Sequence, residues 1–428
     1  MNWTDRTKTL LTPCPRALLT AFALETLCVT WFLKIPGWAP FFSILYFTSG
    51  VAIAWLILAF PAARLPRLNR PVLTQPITHY RLITIALTGL MLYTWCVYWF
   101  EEMPIDIYNA DMLPIIRIMC ERFIAGQHSH IYDTIPSIWH GVQPIYLPTM
   151  WQPYVPAIAL GIDMRWVIAL ALLFAFGTFI ALYRPQTYRY LSFLTAALAF
   201  LLFWWVVADN TAGIVSVAEE GTVIAYYVLL VLALISGRPW LTGIAASLCL
   251  LSRYAFIGWI PAYILYLVLE KKWKFLLWFG LTGAVCFVLF FLIPVGWDTF
   301  LRLAGLPADY VAFAGRVWKD SPDVFRTAPG FAWFFGAKNI ALLHRLLIIL
   351  SFTLPPLFML VVRRRFTTQA QGPTRPQSAV TPANLPIATL KLALVVFYCF
   401  IDVPYLYLFY TSSFVSLIVI TFLLRERA

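Results

Sequence analysis

Charged side chains are scarce in this sequence. They account for 12% of its 428 residues, whereas 61% of the residues are hydrophobic. A soluble globular protein of this length needs more polar side chains than this to cover its surface, which excludes the soluble classes. The mean hydropathy of +0.80 indicates a polytopic membrane protein instead.

Motifs for metals, disulfides and nucleotides are also lacking. The seven cysteines are odd in number and do not have the spacing of metal ligands. His128 and His130 form a His-x-His pair on a loop, but no cysteine or carboxylate triad accompanies them. No glycine-rich loop is present to hold the phosphates of a nucleotide. The motifs therefore give no indication of a metal or a cofactor.

The formal net charge of +12 could suggest a nucleic-acid partner. The basic residues, however, stand in short clusters between apolar runs, which is the pattern that membrane topology requires. We therefore expect the lipid bilayer, and not nucleic acid, as the partner of these charges.

The apolar runs predict an all-α fold with about twelve membrane helices, since a span needs roughly 20 apolar residues. The region 241–269 is interrupted by Ser252-Arg253 and by Pro261, and it predicts two short or broken helices. Broken helices at membrane depth usually line a cavity. The ten other predicted spans lie near residues 17–34, 41–61, 82–99, 165–183, 190–208, 222–236, 275–295, 342–362, 385–400 and 403–424.

The distribution of charge predicts the orientation. With both termini inside, most of the 31 Lys and Arg, with Lys391 counted among them, fall on the cytoplasmic side of an inner membrane. Most of the 19 acidic residues then fall outside. This division of basic and acidic residues between the two sides requires that residues 152–164 do not cross the membrane. We therefore expect these residues to form a helix that lies in the outer interface.

Four segments follow from this map. Residues 1–81 form a two-span extension, and residues 82–295 form the core that carries an outer loop at 100–164. A second outer loop occupies 296–341. The C-terminal spans, 342–428, contain a polar cytoplasmic linker at 367–384, which is rich in proline and glutamine.

Carboxylates crowd the start of the first outer loop. Glu101, Glu102, Asp106 and Asp111 stand where an apolar span ends. Carboxylates beside hydrocarbon tend to have raised pKa values, which suits the abstraction of a proton from a weak acid. We interpret residues 100–164 as the catalytic loop of a membrane enzyme whose active site is extracytoplasmic.

The order of Asp111, Gly126, Tyr132 and the run Tyr146-Leu147-Pro148 resembles the first extracytoplasmic loop of the GT-C glycosyltransferases. The resemblance is to their polyprenyl-phosphate-sugar-dependent, mannosyltransferase-like branch, and it covers roughly residues 82–295. Glu219-Glu220-Gly221 and Arg253 are similar to the middle region of that family, which usually has a lysine at the position of Arg253. The Pro-Pro pair that usually follows the tyrosine is absent here, so the branch stays open.

The resemblance implies a transferase that moves one sugar from a polyprenyl phosphate to a glycan, lipid or protein acceptor, with inversion and without a metal. Asp111 would be the general base, with Asp106 as its nearest rival. The donor phosphate would be held by Arg253 or Arg302. The implied substrate pocket contains Tyr132, Tyr146, Glu219 and Glu220.

Other interpretations of these residues stay open. Asp111 could simply cap the helix that follows, and Arg253 could pair with Glu219 or Glu220 for structural reasons alone. Glu25 and Asp402 are expected to be paired or snorkelling groups. The alternative functions are a transporter or flippase of lipid-linked sugars and an O-antigen polymerase-like or ligase-like protein.

Overall fold

The computed structural model describes residues 14–31, 35, 37–60, 79–138, 141–184, 189–208, 214–305, 307–370 and 384–425. Within these ranges every regular element is helical, and the one β interaction is an isolated bridge between Ile135 and Val142. The predicted all-α class is therefore confirmed. Most of the predicted linker, 371–383, lies outside the described residues, and its first residues, 367–370, continue a helix.

Twenty α-helices are described: α1 (Pro15–Val29), α2 (Ala39–Ala59), α3 (His79–Glu102), α4 (Met112–Ile124), α5 (Pro148–Trp151), α6 (Val155–Ala159), α7 (Arg165–Leu182), α8 (Arg189–Ala208), α9 (Ile214–Val217), α10 (Glu220–Ser236), α11 (Pro239–Leu250), α12 (Trp259–Leu269), α13 (Trp273–Phe287), α14 (Ile293–Val295), α15 (Trp297–Gly305), α16 (Pro307–Asp320), α17 (Ala332–Phe335), α18 (Ile340–Ala370), α19 (Leu385–Phe400) and α20 (Leu408–Arg425). A π-helix, Val288–Leu292, joins α13 to α14. Short 3₁₀ turns lie at His128–His130, Gln152–Tyr154, Tyr254–Phe256, Pro322–Phe325 and Ala337–Asn339.

Seven helical segments of the described chain are long and apolar enough to cross a membrane. They are α2, α3, α7, α8, α13 with its π continuation, α18 and α20. The helices α10, α11 and α19, and the segment Tyr254–Leu269, are apolar but shorter. The chain is therefore a helical, multi-pass membrane protein.

The predicted break in the region 241–269 is present. Helix α11 ends at Leu250, Arg253 has an extended backbone, and α12 begins at Trp259. At 1.5 Å per residue, each half is about 18 Å long or less, well short of the roughly 30 Å of bilayer hydrocarbon. The second predicted interruption is wrong: Pro261 lies in the first turn of α12, where a missing N–H breaks no helical hydrogen bond.

Helices α3 and α7 form an antiparallel pair that closes the first loop. The Arg165 guanidinium at the start of α7 donates to the Phe100 and Met103 carbonyls at the end of α3, and it stacks 4.1 Å from the Phe100 ring. Asp163 balances its charge at 2.6 Å. Residues 103–164 therefore leave and return at one end of the bundle, which we call the loop face.

The helical part of that loop is too short to cross a membrane. Its last helical stretch runs from Pro148 to Ala159 as α5, a 3₁₀ turn and α6, about 18 Å in all. This length agrees with the expectation that residues 152–164 do not span.

The centre of the bundle contains a buried ion pair. Lys391 in α19 places its Nζ 2.6 Å from Glu25 Oε1 in α1, and both side chains are completely buried. The hydroxyl groups of Ser413 and Ser416 in α20 donate to the Glu25 carboxylate, and Ser412 accepts from Lys391. The pairing expected for Glu25 is confirmed. Lys391, which the charge map counted with the cytoplasmic residues, lies inside α19 and neutralises a buried carboxylate.

We expect Lys391→Met to reduce the free energy of unfolding by about 3–5 kcal/mol, because it leaves the Glu25 carboxylate buried without a counter-charge. Denaturant titration of the detergent-solubilised protein measures this loss. The double variant Glu25→Gln/Lys391→Met is the control and should recover most of the stability, since it carries no uncompensated charge. Unchanged unfolding of Lys391→Met would contradict the buried pair.

Candidate active site

Asp111 stands at the start of α4. Its carbonyl accepts the Ile115 N–H at 3.0 Å, but its carboxylate makes no capping hydrogen bond to the helix. The alternative that Asp111 serves as a helix cap is therefore not supported. The negative charge of that carboxylate acts on two tyrosines, Tyr146 of the same loop and Tyr405 of the segment between α19 and α20.

The charge of Asp111 affects the pKa values of both tyrosines. Burial raises the pKa of Tyr146 well above its ordinary value, and the negative charges of Glu219 and Asp111 raise it further. Burial likewise raises the pKa of Tyr405, and Asp111 adds to that effect. Tyr146 is therefore in electrostatic contact with both Asp111 and Glu219.

Glu219, Glu220 and Arg253 form a compact charged group. Arg253 Nη2 lies 2.6 Å from Glu219 Oε1 and 2.6 Å from Glu220 Oε2. Glu219 immediately precedes α10, Glu220 is its first residue, and Arg253 occupies the break between α11 and α12. The pairing that sequence offered as an alternative for Arg253 is present.

Four tyrosines, which we call the tyrosine layer, each lie within electrostatic range of Asp111, Glu219 or Arg253: Tyr146, Tyr310, Tyr405 and Tyr407. The rings of Tyr405 and Tyr407 stack at 5.6 Å, and the Arg253 guanidinium lies 5.8 Å from the Tyr407 ring. Burial raises the pKa of Tyr310 in α16 to about 12, while the nearby Arg253 acts in the opposite direction. Asp111 and Arg253 therefore share neighbours at the loop face.

Tyr132 has a different position from the one that its expected pocket role requires. Its side chain is completely buried, and its hydroxyl donates to the Tyr146 carbonyl at 2.8 Å. Trp151 donates to the same hydroxyl at 3.2 Å, and the Gln143 amide donates to the Tyr132 carbonyl. Tyr132 therefore positions the backbone of Tyr146 within the loop.

Asp106 has different surroundings. Its carboxylate accepts the Tyr108 N–H at 3.3 Å, and the residue borders a small cleft. That cleft is lined by Pro104, Ile105, Asn109, Ala110, Leu113, Pro114, Ser216 and Val217. Glu101 and Glu102 are exposed at the end of α3.

Arg302, the second predicted phosphate ligand, joins the two loops. It lies on α15, is 45% exposed, and places Nη1 3.1 Å from Asp133 Oδ1 in the first loop. A hydrogen bond from His130 lowers the pKa of Asp133, and the Arg302 contact lowers it further. Within the described ranges, no group of three His, Cys, Asp or Glu side chains is placed to hold a metal.

The first loop also enters the bundle, which sequence reasoning missed. Thr149 N donates to the Leu251 carbonyl at 3.1 Å and its Oγ1 donates to the Leu248 carbonyl at 2.9 Å, so α5 covers the C-terminal end of α11. Tyr226 of α10 donates to the Thr149 carbonyl at 2.9 Å. Residues of this insertion are buried, among them Trp151 and Tyr154. The inserted segment therefore forms the part of the candidate site that lies next to Arg253.

Gln152 anchors the same insertion to α13. Its Nε2 donates to the Phe290 carbonyl at 2.7 Å. An α-helix would direct the N–H of residue 294 to this carbonyl, but that residue is a proline and has no N–H. Pro294 was the available sequence signal, although it does not indicate which side chain replaces the lost donor.

A second buried contact closes the site from the segment between α19 and α20. Asp402 Oδ2 lies 2.6 Å from His344 Nδ1 of α18, which confirms the pairing expected for Asp402. Burial raises the pKa of Asp402, and the hydrogen bond from His344 opposes this effect.

Comparisons of this chain with protein-family models, with curated proteins and with solved structures found no match. The site must therefore be interpreted from its own geometry.

We expect Gln152→Ala to loosen the inserted segment 148–154, because the Phe290 carbonyl loses its donor. The loss of stability should be about 1–3 kcal/mol, the cost of one unsatisfied buried group. Hydrogen exchange of residues 148–154 measures the effect locally. Gln127→Ala, at an exposed glutamine of the same loop, is the matched control and should exchange like the parent. Equal protection in both variants would contradict the anchoring role.

Proposed function

We propose that this chain is a GT-C-like membrane glycosyltransferase with about twelve membrane helices. It moves a single sugar from a polyprenyl phosphate to an acceptor hydroxyl on a glycan, a lipid or a protein. The observation that carries the proposal is the position of Asp111: a carboxylate that follows a span, makes no capping hydrogen bond and lies within electrostatic range of Tyr146 and Tyr405. The charge pattern supports an inner membrane with the loop face outside and both termini inside.

In this proposal the Asp111 carboxylate accepts the proton of the acceptor hydroxyl as that oxygen attacks the anomeric carbon. The bond between the anomeric carbon and the phosphate oxygen breaks in the same displacement, and its electron pair leaves with the polyprenyl phosphate. Attack from the opposite face inverts the anomeric centre. The tyrosine layer supplies ring faces and hydroxyl groups against which a sugar can lie.

The growing negative charge on the phosphate needs a cation. Arg253 already lies against two carboxylates, so its charge is balanced within the protein. Arg302 is half exposed and contacts one exposed carboxylate, Asp133, so its guanidinium can turn toward an incoming phosphate at little cost. We therefore assign the phosphate to Arg302 in preference to Arg253.

The base assignment is tested by a transfer assay in proteoliposomes with a panel of polyprenyl-phosphate sugars. We expect Asp111→Asn to reduce the turnover number by a factor of about 10²–10⁴, since the amide cannot accept the proton. Asp106→Asn is the matched control and should retain turnover within about twofold. Full activity of Asp111→Asn would refute the base, and wild-type transport of the lipid-linked sugar without transfer would favour the flippase alternative.

Arg302→Ala should raise the KM for the lipid-linked donor about tenfold, which corresponds to about 1.4 kcal/mol for one lost charge-assisted hydrogen bond. Steady-state kinetics in the same proteoliposomes measures the change. Arg326→Ala removes another exposed arginine of the second loop that is paired with an aspartate, Asp323, and should leave the KM unchanged. An equal effect of both variants would indicate general surface charge and not a phosphate site.

A further inference from the structure

Five buried polar atoms around Arg253 have no hydrogen-bond partner among the residues that the structure describes. They are Glu219 Oε2, Glu220 Oε2, Arg253 Nε and the hydroxyl groups of Tyr227 and Tyr398. Glu220 Oε2 still has Arg253 Nη2 2.6 Å away. Glu219 and Tyr227 are 1% and 0% exposed, and the Arg253 side chain is 11% exposed. We call Arg253, Glu219 and Tyr227 the Arg253 cluster.

The three groups are neighbours through the guanidinium. Arg253 uses one nitrogen, Nη2, for its contacts with both Glu219 and Glu220. The Tyr227 hydroxyl lies within electrostatic reach of Arg253 and Glu220. Glu220 differs from Glu219 because its other oxygen, Oε1, accepts a hydrogen bond from Thr411. Unused hydrogen-bonding capacity therefore remains on Arg253, Glu219 and Tyr227 and on the Tyr398 hydroxyl, whereas each Glu220 oxygen lies against a donor.

Such groups are costly to bury. A buried donor or acceptor without a partner destabilises the folded state by about 1–3 kcal/mol, so a native protein keeps few of them. Several together beside a candidate active site indicate that something other than the protein completes their hydrogen bonds.

The chemistry of the three atoms restricts the ligand. Arg253 Nε can only donate, the carboxylate oxygen of Glu219 can only accept, and the tyrosine hydroxyl can do both. A phosphate or a carboxylate would satisfy Arg253 but would meet the negative charge of Glu219. An ammonium group would satisfy Glu219 but leave Arg253 Nε without an acceptor. Hydroxyl groups donate and accept, and they carry no charge.

We propose that the Arg253 cluster binds the hydroxyl groups of a neutral sugar and selects against sugars that carry a carboxylate or an amine. One hydroxyl oxygen accepts from Arg253 Nε, and a hydroxyl hydrogen is donated to Glu219 Oε2. This inference rests on the proposed function, since it names the class of sugar that the transferase moves. It also gives the two arginines different roles: Arg253 binds the sugar, and Arg302 binds the phosphate.

Two members of the tyrosine layer lie near the cluster. The Arg253 guanidinium lies 5.8 Å from the Tyr407 ring, and Tyr310 of α16 is within electrostatic range of Arg253 and Glu219. The unpartnered atoms are covered in the present conformation, so a sugar reaches them only when side chains around them move aside.

The test measures binding separately from transfer, with the full-length protein in nanodiscs. Three synthetic donors share one short polyprenyl phosphate and carry a neutral hexose, the matching uronic acid or the matching amino sugar. We expect the neutral donor to bind at least tenfold more tightly than either charged donor. Equal or tighter binding of the uronic acid donor would overturn the proposal and would indicate that Arg253 binds an anionic group.

Tyr227→Phe is the decisive variant, because it removes an unpartnered hydroxyl and leaves the rest of the side chain in place. We expect an unfolding temperature equal to or above that of the parent, together with a five- to tenfold loss of affinity for the neutral donor. A purely structural hydroxyl would give the reverse, a lower unfolding temperature with unchanged affinity. Tyr98→Phe, at an exposed position of α3, is the matched control and should change neither quantity.

Glu219→Gln tests the charge without removing the acceptor. Binding of the neutral donor should change less than threefold, and the discrimination against the uronic acid donor should fall at least tenfold. Unchanged discrimination would overturn the charge argument. If donors bind with the expected preference but no sugar is transferred, the proposed function fails and the binding site stands; if transfer occurs without preference, the binding site fails alone. Absence of any donor binding would overturn both.

Discussion

The contact of Arg253 with Glu219 and Glu220 is the constraint on which the loop face depends. A guanidinium buried between two apolar half-helices is tolerated only when carboxylates balance its charge. The contact holds the break between α11 and α12 against the start of α10, so three helix ends meet at one point. Thr149 then covers the end of α11, and the first loop is drawn into the bundle above the charged group.

This arrangement separates two kinds of buried charge in the same protein. Lys391 and Glu25 are surrounded by three serines that complete their hydrogen bonds, which is the pattern of a structural pair. Arg253 and Glu219 are equally close to each other, yet each retains an atom without a partner in the described part of the chain. Distance alone does not distinguish the two pairs; the difference lies in what surrounds them.

The local features of the fold were predictable, because they follow from local composition. Apolar runs predicted the spans, and Ser252-Arg253 predicted the break, since a serine and an arginine in an apolar stretch rarely continue a lipid-facing helix. Pro261 was misinterpreted because its effect depends on its position within a turn, which composition does not reveal. The pairing of Lys391 was not predicted, because the positive-inside rule only sorts lysines between the two sides and does not reveal a partner 366 residues away.

The site was predictable only in part, for the same reason. Asp111, Tyr146, Glu219, Glu220 and Arg253 were selected from the sequence, and the structure brings them to one face. Tyr310, Tyr405 and Tyr407 were missed, since they come from separate segments that carry no local motif. Tyr132 matched a motif position, but its hydroxyl is used inside the loop. A motif gives residue order, whereas the direction of a side chain depends on contacts between distant segments.

The hydrogen bond from Gln152 to the Phe290 carbonyl has a mechanical consequence. In the most apolar 18-residue stretch of α13 and its π continuation, only 17% of the residues are buried. These helices are therefore largely exposed, and their tilt responds to the thickness of the surrounding lipid. The bond is made at the π-helix, where the regular ladder is already interrupted. A thinner or thicker bilayer would therefore displace Gln152 along with Phe290. The lipid composition of the membrane would then change the position of the inserted segment 148–154 through this one hydrogen bond.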